Sequence, residues 1–145
     1  FLVLGLSAVK IHGVSMEPLL QDRQTVFVNR LAYGLHLPID AGYVFSWNTP
    51  SSGEVIVFKH PGNGRLTVKR SVLGPGDRIR LSAERLHADN GSWRVTPEVA
   101  ARLADITTIP DGHVFVIGEN PSASSDSRDF GLVPFSKVLG RVMTR

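Results

Sequence analysis

Short apolar runs, each closed by turn-forming residues, recur along most of the chain. The clearest runs are Val26 to Val28, Val55 to Phe58, Leu66 to Val72 and His113 to Ile117. Stretches rich in Gly, Pro and Asn lie between them, such as HPGNGR, GPGD, DNG and PDG. Runs of this length that are rich in Val, Ile and Phe and bounded by turn residues are typical of β-strands. The pattern predicts a mostly β protein.

The stretch from about 80 to 110 has a more mixed composition than its flanks and contains a pattern that favours a helix. Thr96 is a suitable N-cap and Pro97 fits the first helical position, while Glu98 complements the helix dipole. Apolar residues then recur at helical spacing, at Val99, Leu103 and Ile106. We therefore expect a small insertion at 80–110, carrying a short helix, within the β domain.

Two apolar segments do not fit a simple strand pattern. Residues 1–9, FLVLGLSAV, end at Lys10 and are too few to cross a bilayer, which needs about 20 helical residues. They are compatible with the tail of a truncated membrane anchor, with the apolar part of a signal peptide, or with a buried first strand, which this segment alone favours. Residues 35–50, LHLPIDAGYVFSWNTP, predict either a strand pair that feeds the core or an exposed apolar edge that meets lipid.

Composition and charge narrow the class of protein. A chain of 145 residues fits one domain with a real core. The net charge of +3 comes from scattered Lys and Arg residues, which argues against nucleic-acid binding and is compatible with an anionic membrane surface. Because the chain has no cysteine, disulfides and thiolate chemistry are excluded. The spacing of the His residues matches no metal-ligand pattern, so we predict no metal and no cofactor.

The stretch HGVSMEPLL, residues 12–20, puts Ser15 in a tight bend just after the apolar N-terminal run. A Ser in a turn commonly only hydrogen-bonds its own backbone, and as a nucleophile it needs a base. His12 is close to Ser15 in the sequence, but no carboxylate stands out that would orient the imidazole. Lys69 lies in the middle of an apolar strand, LTVKRSVL, where burial would lower its pKa and permit a neutral amine. The alternative is that Lys69 points to water.

A polar cluster, ENPSASSDSRDFG at 119–131, follows the apolar run VFVIG. By itself this is the composition of a turn. Beside a nucleophile and an amine it supplies hydroxyls able to orient the amine, and charges able to brace a site. Arg70 follows Lys69 and must face the other side of the strand, with the apolar side chains there, so we expect it to have a carboxylate partner.

Five stretches in a fixed order resemble bacterial type I signal peptidases. GVSMEP resembles the nucleophile turn of that family, and DRQTVFVNRLAYG resembles the strand and the Tyr-Gly element after it. SGEVIVF, VKRSVLGPGD and GENPSASSDSRDFG resemble the next strand, the lysine strand and the final box. The similarity runs from about Ile11 to Val142, apart from the 80–110 insertion. It implies an antiparallel β-sheet catalytic domain at 10–145, and it makes residues 1–9 the end of a membrane anchor.

The resemblance also implies roles for individual residues at the reacting centre. Ser15 is the nucleophile, and Lys69 is the general base and then the general acid. Ser124 hydrogen-bonds and orients Lys69. Asp126 and Arg128 form a structural acid–base pair behind the site.

Further implied roles concern the surroundings of the nucleophile. Arg70 pairs with Glu119, which stands where the family usually has Asp, and its position on an apolar strand face predicts that the pair is buried. The backbone N–H of Ser15 binds the oxyanion. Many relatives have a Ser two positions before the nucleophile whose hydroxyl is a second donor, and Gly13 stands there in this chain. The implied pocket residues are all apolar: Ile11, Met16, Leu20 and Val68 for the small side chain before the cut, and Val26 and Val57 for the side chain two residues upstream.

The implied function is a membrane-associated serine endopeptidase that removes signal peptides from exported preproteins after an Ala-x-Ala site, through an acyl-enzyme. Its partners are then signal peptides and membrane lipid, with no nucleic acid, and we expect a monomer. The catalytic domain lies on the extracytoplasmic side of the bacterial cytoplasmic membrane. The alternatives are a self-cleaving regulator of the LexA kind, which lacks a DSRDFG box, a conjugative-transfer peptidase of the same superfamily, and an inactive peptide-binding β domain. The presence of both Ser15 and Lys69 argues against the last.

Overall fold

The computed structural model describes residues 5–36 and 43–143, which form an antiparallel β protein with two short α-helices in these ranges. The strands are β1 (Leu6–Lys10), β2 (Thr25–Asn29), β3 (Gly34–His36), β4 (Tyr43–Ser46), β5 (Val55–Lys59), β6 (Leu66–Leu73), β7 (Ile79–Ser82), β8 (Arg85–Ala88), β9 (Gly91–Arg94), β10 (His113–Ile117), β11 (Val133–Pro134) and β12 (Val138–Met143). The helices are α1 (Pro97–Leu103) and α2 (Ser127–Phe130), with 3₁₀ turns at Pro121–Ala123 and Phe135–Lys137. The predicted fold class is confirmed.

The main sheet joins seven of the described strands in the order β1-β2-β12-β5-β6-β10-β11, and neighbours are antiparallel. In β2, Val26 and Val28 point inward and Phe27 points outward, as the two-residue period of a half-buried strand requires. β5 is buried along Val55 to Phe58, which explains its unbroken apolar run. The four strands predicted from apolar runs are confirmed as β2, β5, β6 and β10.

The core lies in clusters on the faces of the sheets. One cluster fills the space beneath residues 11–20: Ile11, Met16, Leu20, Val26, Val28, Val55, Val57, Val68 and Val142. A second cluster joins Leu73 and Phe115 of the main sheet to Leu86, Val99 and Leu103 of the 79–103 region. Because both clusters share strands of the main sheet, the inserted elements pack directly on that sheet.

The 80–110 region contains more regular structure than its composition predicts. β7, β8 and β9 form a three-stranded meander, which the short, mixed strands did not indicate. The predicted helix is confirmed as α1: Thr96 caps it by accepting the Val99 N–H at 3.3 Å, and Pro97 is its first residue. The helix ends at Leu103, so Ile106 lies beyond it, although it packs against the same apolar cluster.

The two apolar segments that left alternatives open are partly described. Leu6 to Lys10 form β1, paired along its length with β2, while residues 1–4 lie outside the described residues and the anchor assignment for 1–9 stays a prediction. Within 5–36 and 43–143, no helix is long and apolar enough to cross a membrane. In the 35–50 segment, β3 and β4 pair as a hairpin, and residues 37–42 lie outside the description. Leu35, Phe45 and Trp47 are 40%, 67% and 59% exposed, so these side chains do not feed the core.

Two incompletely paired strands border one cleft. Among the described strands, β1 lies at the end of the sheet and pairs only with β2. β10 pairs with β6 from Arg70 onward, which leaves the Leu66 to Lys69 part of β6 paired only with β5. The end of β1 and this part of β6 both line the cleft that contains Ser15.

Candidate active site

The bend at residues 12–20 is fixed at both ends. Packing in the core holds its second half, and a hydrogen bond from Gly13 holds its start. Met16 and Leu20 are buried in the core cluster beneath the bend, and the Leu20 N–H donates to the Met16 carbonyl at 2.8 Å. Gly13 has a φ of +89°, a conformation that favours glycine, and its N–H donates to Asp22 Oδ1 at 2.8 Å. Ser15, between these fixed points, is half-buried at the cleft.

Lys69 meets Ser15 inside this cleft. Lys69 Nζ lies 2.6 Å from Ser15 Oγ, and the lysine is only 3% exposed. Burial lowers the pKa of Lys69 below its ordinary value; the charge of Asp126 opposes the shift and that of Arg128 adds to it. The alternative that Lys69 points to water is therefore wrong. Ser15 and Lys69 are 54 residues apart in the sequence, and the pairing of β6 with β5 in the sheet brings Lys69 to its place beside Ser15.

The cleft has a volume of about 370 Å³ and runs between the end of β1 and the start of β6. Of the six predicted pocket residues, three line it: Ile11, Met16 and Val68. The other three, Leu20, Val26 and Val57, lie in the same buried cluster and not on the cleft surface. Close-packed core side chains therefore lie directly behind the cleft wall.

Asp126 is the centre of a buried network beside the contact between Ser15 and Lys69. It is fully buried and accepts hydrogen bonds from Arg128 Nε at 2.8 Å, Arg128 Nη2 at 2.7 Å, the Gly118 N–H at 2.9 Å and the Ser124 hydroxyl at 2.8 Å. Burial alone would raise the pKa of Asp126, but these hydrogen bonds, with that from Arg128 the largest, hold it below its usual range. Asp126 is therefore a carboxylate that helps to balance the charge of a protonated Lys69.

The expected bond between Ser124 and Lys69 is not among the hydrogen bonds of the described residues. The Ser124 hydroxyl donates to Asp126 instead. The buried carboxylate is a stronger acceptor than an amine that can itself carry a proton, so the one hydroxyl proton of Ser124 goes to it. In this structure Ser124 acts on Asp126, and Asp126 acts on Lys69 through its charge.

Arg70 and Glu119 are in contact, but they are not buried. Arg70 Nε donates to Glu119 Oε1, and the two side chains are 32% and 28% exposed. The expectation of a buried pair is wrong because the strand face of Arg70 is only partly covered: Leu66, on the same face, is 51% exposed. The pair is partly exposed to water, so losing one partner should cost less stability than in a buried ion pair.

Comparisons with known proteins identify the family of this chain. A family model described as "Signal peptidase, peptidase S26" matches residues 2–145. The chain belongs to this family.

It is 27% identical to signal peptidase I of Pseudomonas aeruginosa over 91% of the chain, and it spans about three fifths (61%) of that relative. It is also 30% identical to the mitochondrial ATP-independent inner membrane protease subunit 1a of Arabidopsis thaliana, covering 97% of the chain and 70% of the relative. A crystal structure of a signal peptidase I from Enterococcus faecalis V583 aligns with 68% of the chain and all of that structure, at 27% identity and a TM-score of 0.48.

In this signal peptidase family member the backbone N–H of Ser15 is available as a donor. Among the described residues, no group accepts the Ser15 N–H, whereas the Gly13 N–H is taken by Asp22. Gly13 also brings no hydroxyl to the turn. His12 is exposed, and no hydrogen bond joins it to Ser15 in the described part of the chain, so the His12 alternative has no geometric support.

Two side chains at the site were missed from the sequence. Asn120 donates from Nδ2 to the Val14 carbonyl at 3.1 Å, and its backbone N–H donates to the Ser15 carbonyl at 2.8 Å. His60 lines the cleft, where its Nδ1 accepts the Gly62 N–H at 2.9 Å, and burial followed by the charge of Lys69 lowers its pKa. The sequence feature that could have indicated Asn120 is its position directly after GE in the polar box. His60 had none, because a His beside Pro-Gly is typical of a plain turn.

Proposed function

We propose that this protein is a membrane-associated serine endopeptidase that removes N-terminal signal peptides from exported preproteins by a Ser15–Lys69 mechanism. The observation that carries the proposal is the contact between Lys69 Nζ and Ser15 Oγ, 2.6 Å apart, with the lysine buried. A base must be unprotonated to accept a proton, and desolvation lowers the pKa of this amine. Membership of the signal peptidase family supports the same reaction class.

The reaction proceeds in two halves. Ser15 Oγ attacks the scissile carbonyl carbon while its proton passes to neutral Lys69 Nζ, and the carbonyl electron pair moves onto the oxygen. The Ser15 N–H stabilises that oxyanion. As the C–N bond breaks, protonated Lys69 gives the proton to the leaving amine, and the signal peptide is left as an ester on Ser15. A water molecule then attacks the ester, again losing its proton to Lys69, which returns it to Ser15 Oγ as the acid leaves.

The cleft suits an extended peptide with small side chains near the cut. The outer edge of β1 and the Leu66 to Lys69 edge of β6 have free backbone groups, and an extended chain lying between them is able to add to either strand. The wall beside the dyad is made by the buried Ile11, Met16 and Val68. A shallow apolar wall of this kind accepts Ala and excludes Phe or Leu, which supports cleavage after Ala-x-Ala.

Membrane association is supported by exposed apolar side chains on the β3–β4 hairpin. Leu35, Phe45 and Trp47 are exposed there, and an aromatic side chain with an N–H is favoured at a lipid–water boundary. The proposed location is the extracytoplasmic face of a bacterial cytoplasmic membrane, where a signal peptide leaves the bilayer.

Cleavage of a detergent-presented peptide that contains Ala-x-Ala tests the proposal, with products identified by mass spectrometry. We expect a single cut after the second Ala, a rate that rises with pH as Lys69 loses its proton, and loss of cleavage when that Ala is replaced by Phe. Ser15→Ala and Lys69→Met should each lower kcat by about 10⁴- to 10⁶-fold. Lys69→Arg should fail as well, because a guanidinium does not deprotonate in proteins.

Three results would count against the proposal. A folded Lys69→Met protein that still cuts would end the dyad and return His12 to consideration. Equal cleavage with Phe before the cut would remove the shallow-pocket argument. Cleavage of the protein's own chain, with no cleavage of the added peptide, would favour a self-cleaving regulator.

A further inference from the structure

Asn120 holds both peptide units that flank the nucleophile. Its side-chain Nδ2 donates to the Val14 carbonyl at 3.1 Å, which also accepts the Glu17 N–H at 3.1 Å. Its backbone N–H donates to the Ser15 carbonyl at 2.8 Å. One residue of the polar box is thus bonded to the unit before Ser15 and to the unit after it.

The first of these bonds determines where the Ser15 N–H points. The carbonyl of Val14 and the N–H of Ser15 belong to one planar peptide unit, and this unit is trans. In a trans unit the C=O and N–H point in opposite directions. A donor that fixes the Val14 carbonyl therefore fixes the direction of the Ser15 N–H, which has no acceptor among the described residues.

The direction of the Ser15 N–H matters more for oxyanion stabilisation in this chain than in a relative whose turn has a second donor. Gly13 brings no hydroxyl, and the Gly13 N–H is directed to Asp22. An oxyanion is stabilised by donors that are already aimed at it before charge develops. The Ser15 N–H has no acceptor among the described residues and belongs to the residue whose Oγ meets Lys69, so its aim depends on the restraint placed on the Val14 carbonyl.

We infer that Asn120 is a positioning residue, whose carboxamide holds the Val14–Ser15 peptide unit so that the Ser15 N–H is aimed at the oxyanion. The inference rests on the proposed function. The amide itself is oriented, because its Oδ1 accepts a hydrogen bond from the Ser122 hydroxyl at 3.2 Å, which leaves Nδ2 for Val14. Pro121 follows and favours the extended backbone that Asn120 has, with φ of −109° and ψ of 91°.

Asn120→Asp tests this inference, because it keeps the shape of the side chain and replaces the donor by an acceptor. Asn120→Ala removes the donor without adding a charge and is measured beside it. Removing an oxyanion donor outright costs about 100- to 1000-fold in kcat, so a donor left in place but free to turn away should cost about 10-fold or more, with KM nearly unchanged.

The matched control is Asn90→Asp. Asn90 Nδ2 also donates to a backbone carbonyl, that of Val72, at 2.7 Å, but it lies in the β8–β9 turn outside the cleft. The same substitution there removes the same kind of hydrogen bond, together with a second one from Nδ2 to Ser52 Oγ at 3.1 Å. It should lower the unfolding temperature at least as much as Asn120→Asp does, while kcat stays at the wild-type value.

A second measurement distinguishes a misdirected Ser15 N–H from general damage to the cleft. A peptide aldehyde ending in Ala adds to Ser15 Oγ, and its former carbonyl oxygen then occupies the oxyanion position. Its affinity should fall by the same factor as kcat in both Asn120 variants, whereas the affinity of the matching peptide alcohol, which cannot add, should stay the same.

The outcomes separate this inference from the function on which it rests. A wild-type protein that neither cleaves the Ala-x-Ala peptide nor binds the aldehyde overturns both. An active wild type, with either folded Asn120 variant retaining wild-type kcat and aldehyde affinity, overturns the role of Asn120 alone. Equal loss of aldehyde and alcohol affinity would also overturn it, since that result reflects a damaged cleft.

Discussion

Lys69 carries a cost in stability that follows from its burial. In the unfolded chain a lysine has a pKa of about 10.4, whereas in the folded protein desolvation lowers the pKa of Lys69. Between the two values the unfolded state binds more protons than the folded state, so stability increases as pH rises through that window. Below the lowered pKa the full penalty is present, and above the ordinary pKa it is absent.

Lys69→Met should therefore be more stable than the wild type at neutral pH while inactive. The gain should be about 1.4 kcal/mol for each pH unit by which the pKa is lowered, and it should shrink as the pH approaches 10.4. Urea unfolding of both proteins between pH 7 and pH 11 measures it. Titrating groups that do not interact with Lys69 cancel in the difference, and this range lies above the lowered pKa of His60. Lys10→Met, at an exposed lysine on β1, controls for the substitution itself. A difference that is constant with pH, or a less stable Lys69→Met, contradicts the assigned cost.

At the scale of elements, the connection from β10 to α2 joins the two halves of the site. Residues 118–126 contact the nucleophile turn through Asn120 and carry Ser124 and Asp126. At Gly118 there is no room for a side chain. A Cβ there would lie 2.6 Å from the Ser124 Cβ and 3.0 Å from the Ser15 carbonyl oxygen. The Gly118 N–H also donates to Asp126. Only a residue without a side chain fits this position.

Gly118→Ala should accordingly damage the site more than the fold. The added methyl group must displace Ser124 or the Ser15 backbone, so we expect kcat to fall at least 10-fold, with a stability loss of about 1–3 kcal/mol from overpacking. Gly74→Ala is the matched control, because its Cβ would lie 3.6 Å from the nearest atom, the Pro50 carbonyl oxygen. Cleavage rates and thermal unfolding of both variants provide the measurement. Equal, near wild-type kcat in the two would show that the loop adapts without disturbing Ser15.

How far these elements could be predicted depends on how much of each is buried. β5, β6 and β10 have long apolar runs because they lie inside the sheet, and α1 has a capping Thr96 and a Pro at its start. β7 to β9 were missed because strands such as GSWR in β9 are short, partly exposed and stabilised by their partners. Burial of a single residue depends on whole-strand coverage, which explains why Arg70 was misjudged.

The site shows the same limit. Ser15 and Lys69 could be singled out because each is an unusual residue for its position: a hydroxyl in a bend after an apolar run, and an amine inside a strand. The direction of the Ser124 hydrogen bond could not be predicted, since it depends on which acceptor lies within reach of one hydroxyl. The contacts of Asn120 depend on a fold that brings residues 14 and 120 together.

At the scale of the whole molecule, exposed apolar side chains gather near the start of β1. Trp47 Nε1 donates to the Leu31 carbonyl at 3.1 Å, and the neighbouring Arg30 N–H donates to the Gly5 carbonyl at 2.6 Å. The β3–β4 hairpin therefore lies beside the point where the apolar residues 1–4 join the described chain. A hairpin that meets lipid would bring this end of β1 to the membrane surface.

Binding of this hairpin to lipid makes a direct spectroscopic prediction. In a Trp93→Phe background, where Trp47 alone reports, the emission of Trp47 should shift to the blue on addition of vesicles with anionic lipid, because its ring leaves water. Phe45→Ser in the same background should weaken partitioning by about 10- to 150-fold, since burial of a Phe side chain contributes about 1.5–3 kcal/mol. Trp47→Phe, which leaves only the half-buried Trp93 packed on Phe115, should show no shift. An unshifted Trp47 would mean that the exposed hairpin does not meet lipid, and membrane contact would then have to come from another part of the protein.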